Sequence, residues 1–352
     1  MKASTPSLFA SLLLFAGGQM ILPSALLSAE VASQPVEQVA PKSLFRDPVF
    51  DGAADPTIIY NRAEKKWLMF YTNRRANVPG LTSVTWVHGT PIGIAESLDG
   101  AVWTYRGTVD FPKDIPNTTG TPTFWAPAIV YDRSVYHMYV VVVPGIFNDW
   151  NHPRAIVHLT SSDLKKWKYE ATLQLVSDKV IDPCVMRLPD GTWRMWYNNE
   201  RASKTQCYAD SPDLFTWTDH GSAHLPRDRG EAPLAFRWQG HDWLLIDLLG
   251  NGGMGAFRSD DALRWERQPA SLLDKPGQGR DDQNGGHHPE VVVSGDRAYL
   301  FYFVHPGVSA SDPSVPDGKR SSMQVVELKY ADGWLTCDRD MPTKILLQPP
   351  RD

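Results

Sequence analysis

Apolar and polar positions along the chain fall into a repeating order of short blocks. A proline followed by an apolar run occurs at Asp55-Pro56, Ala126-Pro127, Asp182-Pro183, Ala232-Pro233 and His288-Pro289. A turn and a second apolar or aromatic run usually follow, as in Trp67-Leu-Met-Phe-Tyr71, Tyr136-His-Met-Tyr-Val140, Trp193-Arg-Met-Trp-Tyr197, Trp243-Leu-Leu-Ile246 and Tyr299-Leu-Phe-Tyr-Phe303. Runs this short, separated by Asp190-Gly191 or Ser294-Gly295-Asp296, predict strands joined by hairpin turns. No amphipathic helix of real length interrupts them.

A second phrase interleaves with the first. Glu96-Ser-Leu-Asp-Gly-Ala-Val-Trp103, Thr160-Ser-Ser-Asp-Leu-Lys-Lys-Trp167, Asp210-Ser-Pro-Asp-Leu-Phe-Thr-Trp217 and Arg258-Ser-Asp-Asp-Ala-Leu-Arg-Trp265 share Ser, Asp and Trp at fixed offsets. Units of roughly 50–70 residues, each strand, hairpin, strand and Trp-bearing turn, match four-stranded propeller blades. The expectation is an all-β chain forming a single five-bladed β-propeller over residues 43–352. A β-sandwich would not generate five matched units. The recurring Trp is expected to pack between neighbouring blades.

This geometry gives the Pro phrase a purpose. The innermost strand of a blade has a free edge on the central channel, where a proline, lacking an N–H, is tolerated. Proline biases the preceding residue toward an extended conformation, so the residues before the five prolines are expected at one mouth of the channel. Asp55, Asp182 and His288 hold three of these positions, and Glu231 stands one residue earlier in Gly230-Glu231-Ala232-Pro233. Like charges gathered around one axis cost stability, which points to a site rather than to packing.

Composition refines this picture. The 352 residues carry a formal net charge of -5, which gives no electrostatic reason to expect nucleic acid. Thirteen Trp and 12 Tyr suit both a β core and stacking on sugar rings. A basic start and an apolar stretch from Leu8 to Leu27, with small residues near Ala29, read as a signal peptide over 1–29 and a linker over 30–42. The expected protein is secreted or periplasmic, with no membrane insertion after cleavage. Three cysteines, Cys184, Cys207 and Cys337, are too few for a disulfide framework, and the first two read as small buried hydrophobes.

The order Asp55-Pro, Trp125-Ala-Pro, Ile181-Asp-Pro, Glu231-Ala-Pro and Gly-His resembles glycoside hydrolase family 43, and is similar to the related five-bladed family 117, which acts on agar-type oligosaccharides. The resemblance spans the chain after the signal peptide. It implies Asp55 as general base, Asp182 as the residue that tunes the acid, and Glu231 as general acid. It further implies His288, or His287, as the channel histidine that holds a central ion or water; no cofactor is required, though a structural Ca2+ in the channel is compatible with it. Family 43 commonly has Glu-Gly-Pro where this chain has Glu231-Ala232-Pro233, and the doubled His287-His288 keeps a family 117-like histidine acid open.

An inverting reaction on a terminal arabinofuranose, xylose or galactose-type unit is the expected activity, with an oligosaccharide or polysaccharide as partner. Trp125 is the expected stacking platform. Trp86 and His88, in the loop from Val78 to Pro91, are expected to rim the pocket. Arg74, Arg201 and Arg320 are candidates for binding hydroxyls or orienting acids, and Asn199-Glu200-Arg201 is expected to supply polar contacts to the sugar. A phosphorylase would need a cluster of cations beside the acids, and no compelling cluster stands out in the sequence. A non-catalytic carbohydrate-binding propeller would typically have lost one of the three acids.

Overall fold

The computed structural model describes residue 1 and residues 36–118, 120–226, 229–248, 253–306 and 318–350. The expected signal peptide therefore lies outside the described residues except for Met1. A two-residue strand β1 (Gln38–Val39) precedes the first blade. Blade I is β2 (Ala53–Asn61), β3 (Lys66–Asn73), β4 (Ile92–Ser97) and β5 (Thr104–Thr108). Blade II is β6 (Thr123–Asp132), β7 (Val135–Val143), β8 (Ala155–Ser161) and β9 (Lys168–Thr172). Blade III is β10 (Val180–Arg187), β11 (Trp193–Asn199), β12 (Thr205–Ser211) and β13 (Thr218–Ser222). Blade IV is β14 (Gly230–Trp238), β15 (His241–Leu248), β16 (Met254–Ser259) and β17 (Glu266–Arg267). Blade V is β18 (His287–Ser294), β19 (Arg297–Val304), β20 (Ser322–Ala331) and β21 (Trp334–Thr336), and β22 (Lys344–Ile345) follows.

Each blade is an antiparallel sheet whose strands pair in chain order. The first strands β2, β6, β10, β14 and β18 contact one another in that order, and β18 returns to β2. That closed ring is the five-bladed β-propeller expected from the repeats. The core lies between blades, where fully buried Phe70, Tyr139, Trp196, Trp243 and Phe301 come from the second strands. The recurring tryptophans pack edge-on against this layer: Trp103 on Phe301, Trp167 on Phe70, Trp217 on Tyr139 and Trp265 on Trp196. The Ser and Asp of the same phrase build the turn. In blade III, Ser211 Oγ accepts from Leu214 N at 2.8 Å, and Asp213 Oδ1 accepts from Phe215 N and Thr216 N at 2.9 and 2.7 Å. Blades I, II and IV repeat the Asp contacts.

Among the described residues no strand is shared between the first and last blades, and terminal segments close the ring. β1 pairs with β22, and Phe45 bridges to Met323 of β20. Leu347 N donates to Asp99 O at 2.7 Å, and Trp67 Nε1 donates to Leu347 O at 3.3 Å. Residues 38 and 39, inside the stretch read as a linker, thus belong to the sheet structure. Cys184 and Cys207 are buried free thiols on β10 and β12.

The backbone before each proline departs from expectation. Asp55, Ala126, Asp182, Ala232 and His288 are left-handed, with φ of 53°, 43°, 57°, 50° and 47°. Each innermost strand also slips register at this point, between Ala54 and Thr57, Trp125 and Ala128, Ile181 and Cys184, Glu231 and Leu234, and His287 and Glu290. The Pro phrase is therefore a β-bulge, in which two residues oppose one and the first is left-handed. The sheet overrides the proline's local bias because the bulge is anchored from outside. Ala126 N donates to Thr72 Oγ1 at 2.9 Å, Ala232 N to Asp182 Oδ2 at 2.9 Å, and His288 N to Asp247 Oδ2 at 3.2 Å. In all three the acceptor lies on the preceding blade.

Trp103 sits at the seam between the first and last blades, so Trp103→Ala is expected to lower stability by about 3–5 kcal/mol. Urea unfolding should show this as a lower midpoint at unchanged slope.

Candidate active site

The bulges of blades I, III and V turn their side chains into a cavity of about 820 Å3 at one mouth of the ring. Asp55, Asp182, Glu231, His287, His288, Trp125, Trp86, Arg74 and Glu200 all line it. A smaller space of about 140 Å3 lies below, walled by the prolines that follow the bulges, including Pro56, Pro127 and Pro183.

Asp55 is buried and held by a chain of cationic and aromatic groups. Arg74 Nη2 donates to its Oδ1 and Oδ2 at 2.9 and 3.2 Å, and His288 Nδ1 lies 3.4 Å from Oδ1. Burial alone would raise its pKa, but Arg74, His288 and a hydrogen bond from Thr72 outweigh burial and leave the carboxyl below its usual value. Arg74 is itself clamped. Its guanidinium lies 4.8 Å from the centre of the Phe303 ring, and its Nη1 is 3.2 Å from His305 Nε2. His305 Nδ1 sits 2.9 Å from Arg320 O. A carbonyl only accepts, so Nδ1 carries the proton and Nε2 is free to accept from Arg74. Burial and Arg74 lower the His305 pKa to about 4, which keeps the ring neutral.

Asp182 has the opposite character. Burial pushes its pKa up to about 6; the Asp55 and Glu200 carboxylates add to the rise, while His288 and the Ala232 amide oppose it. By accepting from Ala232 N it also fixes the residue that follows Glu231. On the other flank of Glu231, Gly230 O accepts from Asn198 Nδ2 at 3.1 Å and Gln206 Nε2 at 2.7 Å. A side chain at Gly230 would stand 2.2 Å from Asp247 O, so only glycine lets this strand close on β15. Glu231 faces Asp247 across the register of these strands. Its Oε1 is held by Lys204 Nζ in an ion pair. Asp247 in turn receives His287, with Nδ1 to Oδ2 at 3.1 Å.

An aromatic wall closes the side toward blades I and II. Trp86 lies in a 3₁₀ turn (Thr85–Val87), Trp125 on β6, and Trp150, half exposed, in the loop before β8. Trp125 Nε1 donates to Val87 O at 2.6 Å, and its ring lies 6.1 Å from Trp150 and 5.3 Å from the Arg154 guanidinium. Arg154 Nε stands 3.0 Å from Glu200 Oε2, a buried ion pair whose orientation leaves both atoms without a hydrogen bond among the described residues.

Three expected residues do not reach the cavity, and of these Arg201 is paired with Asp178 at 2.8 Å instead. His88 is fully buried behind Trp125, 2.9 Å from His152 Nε2 and 3.0 Å from Val84 O. Arg320 is buried in an ion pair with Asp281 at 2.9 Å, and its carbonyl serves the site through His305. Conversely, Trp150, Arg154, Lys179, Lys204, Arg229, Asp247, Phe303 and His305 line the cavity without having been expected. Asp247 and His305 follow the aromatic runs of blades IV and V as Arg74 follows that of blade I, so a positional signal for them existed. Lys179, Lys204 and Arg229 supply the cation cluster that the linear sequence does not display.

His288 is occupied by Asp55, and among the described residues no group of three or more His, Cys, Asp or Glu is placed to hold a metal ion. No metal cage made of protein groups alone is therefore present among the described residues.

No family model matches the sequence, and no curated protein does either. Solved structures do resemble the fold. A thermostable family-43 glycoside hydrolase is 17% identical over 88% of this chain and 99% of its own, with a TM-score of 0.60. A family-43 β-1,3-galactosidase with galactodeoxynojirimycin is 13% identical over 87% of this chain and 100% of its own, with a TM-score of 0.62. An exo-1,5-α-L-arabinanase from a bovine ruminal metagenomic library is 16% identical over 84% and 100%, with a TM-score of 0.57. At these identities the likeness establishes a shared fold.

The raised pKa of Asp182 has a thermodynamic consequence. Between its ordinary value of 3.8 and about 6, the folded chain holds a proton that the unfolded chain has released. Stability therefore falls as pH rises through that window. Asp182→Asn keeps an acceptor for Ala232 N and is expected to stabilise the fold at pH 7 by roughly 1–3 kcal/mol. Urea titrations from pH 4 to pH 7 should show a shallower decline than in the unmodified chain.

Proposed function

We propose that the chain is a secreted, exo-acting, inverting glycoside hydrolase that removes a terminal arabinofuranose, xylose or galactose-type unit from plant or algal polysaccharide fragments. The observation that carries this reading is the convergence of Asp55, Asp182 and Glu231 from three blades on one cavity with an aromatic wall. Three of the solved structures of this fold are glycosidases by their own descriptions. The apolar stretch near the N-terminus supports secretion.

In this mechanism Asp55 holds a water on one face of the sugar. Its lowered pKa suits a base that must stay ionised. As the water oxygen attacks the anomeric carbon, Asp55 takes its proton, the bond to the leaving oxygen breaks, and Glu231 gives that oxygen a proton. Trp125 and Trp150 offer ring faces to the C–H face of a sugar. Lys204 must leave Oε1 before Glu231 can donate from it, so substrate entry has to displace the ammonium.

A second reading draws on the same contact. With Glu231 tied to Lys204 and His287 oriented by Asp247, His287 is placed to act as a histidine acid of the kind the family 117 resemblance allows. An ionised Asp247 only accepts, which leaves Nε2 of His287 free to face a substrate.

Activity on oligosaccharides from arabinan, xylan, agar and carrageenan tests both. Asp55→Asn is expected to lower kcat by about 10²–10⁴, and full activity in this variant would sink the mechanism. A comparable loss in Glu231→Gln assigns the acid to Glu231; loss in His287→Gln with Glu231→Gln active assigns it to His287. Proton NMR of the first-formed anomer should show inversion.

A further inference from the structure

Arg74 lines the cavity, yet both its terminal nitrogens are spent on the protein itself rather than left for substrate hydroxyls. Nη2 goes to the two oxygens of Asp55 at 2.9 and 3.2 Å, and Nη1 meets His305 Nε2 at 3.2 Å. The backbone of Arg74 is fixed as well. Its N donates to Gly52 O at 2.9 Å, and a Cβ at Gly52 would fall 1.8 Å from Arg74 O. Gly52 also bridges to Ser321, the neighbour of the Arg320 whose carbonyl faces His305. The arginine and the support of its histidine are thus tied to one point on the joint between blades I and V.

His305 is held from several sides. Nδ1 donates to Arg320 O at 2.9 Å, Asn284 Nδ2 donates to the His305 carbonyl at 2.5 Å, and Trp86 and Phe303 pack edge-on against the ring. A guanidinium has five donors and no acceptor, so only a ring with a bare Nε2 can hold Arg74. The Arg320 carbonyl selects that tautomer by taking the proton on Nδ1. With both nitrogens engaged, the ring has none to offer a sugar. We infer that His305 is a positioning residue for the base: it fixes the Arg74 fork on Asp55 and so sets how Asp55 presents its oxygens to the attacking water. The role given to Asp55 rests on the glycosidase reading; the contact does not.

The effect of losing His305 follows from the arginine side chain. Its long stem has many rotamers, and the planar head keeps one orientation only while its fork is engaged on both sides. Released from His305, the head is free to turn off Asp55, and the carboxylate loses its fixed direction. A reacting group misplaced by about 1 Å loses roughly 100-fold in rate. Because the ring offers no nitrogen to the substrate, the loss falls on kcat and leaves KM alone.

Kinetics on the arabinan, xylan, agar and carrageenan oligosaccharides, with crystal structures of the same variants, test this. His305→Phe keeps an aromatic ring and removes both nitrogens; kcat should fall by about 10–100-fold, with KM changed by less than about twofold. His305→Leu repeats the test with a smaller side chain. His305→Gln, whose amide oxygen can accept from Arg74, should return kcat to within about threefold of the unmodified chain. In an Arg74→Met background His305→Phe should cost nothing further, since the histidine acts through the arginine. In the crystals Arg74 should leave Asp55 in His305→Phe and His305→Leu and keep it in His305→Gln. A rise in KM at constant kcat, additive losses in the double variant, or Arg74 still seated on Asp55 without the histidine overturns the inference. If the unmodified chain cleaves none of the oligosaccharides while Arg74 moves as expected, the glycosidase reading fails and the positioning of Asp55 by His305 stands.

Discussion

The left-handed bulge at the head of each innermost strand is the constraint from which the site follows. A regular strand would alternate its side chains between the two blade faces. Inserting one residue with positive φ re-aims the chain, so Asp55, Asp182 and His288, at the same position in three blades, line the cavity at the mouth of the ring. Asp and His tolerate this conformation better than most residues, whereas alanine carries its usual penalty of about 1–2 kcal/mol. Ala126 and Ala232 hold it nonetheless, and each has its amide caught by a side chain of the preceding blade. The catch at Ala232 is Asp182, so one carboxylate both secures the bulge beside Glu231 and titrates abnormally because of where that duty buries it.

Three carboxyls within one cavity are kept distinct by their partners rather than by their chemistry. Asp55 has a guanidinium fixed by Phe303 and His305 and remains ionised despite burial. Among the described residues Asp182 has one amide and no cation in direct contact, and burial dominates. Glu231 sits at the rim with a flexible lysine, the most easily displaced of the three pairings. The His287–Asp247 pair adds a fourth proton-handling group within the same wall.

The fold was legible because the chain states it five times in the Pro phrase and four times in the Ser-Asp-Trp turn, and each copy serves one local task. The positions of Asp55, Asp182 and Glu231 were legible for the same reason. Their backbone was not: the preference of a pre-proline residue for extended geometry is local, and the sheet pairing on either side of the bulge overrides it. His88 looked exposed in its Gly- and Pro-flanked loop, but His152, 64 residues away, covers it. Lys179, Lys204 and Arg229 come from three separate loops, and nothing in the linear order announces that the ring gathers them.

Closure of the ring joins the first blade to the last around Asp55. Blade I is complete by Thr108 and blade V begins at His287, yet the contacts that define Asp55 cross between them. His288 lies 3.4 Å from Asp55, His305 3.2 Å from Arg74, and Glu290 accepts from Ile58 N at 3.0 Å. Glu290, buried and raised to about 8, brings a neutral carboxyl to that junction. An incomplete circle of four blades would carry Asp55 with neither histidine beside it. The joint between the first and last blades is therefore the one that completes the surroundings of Asp55.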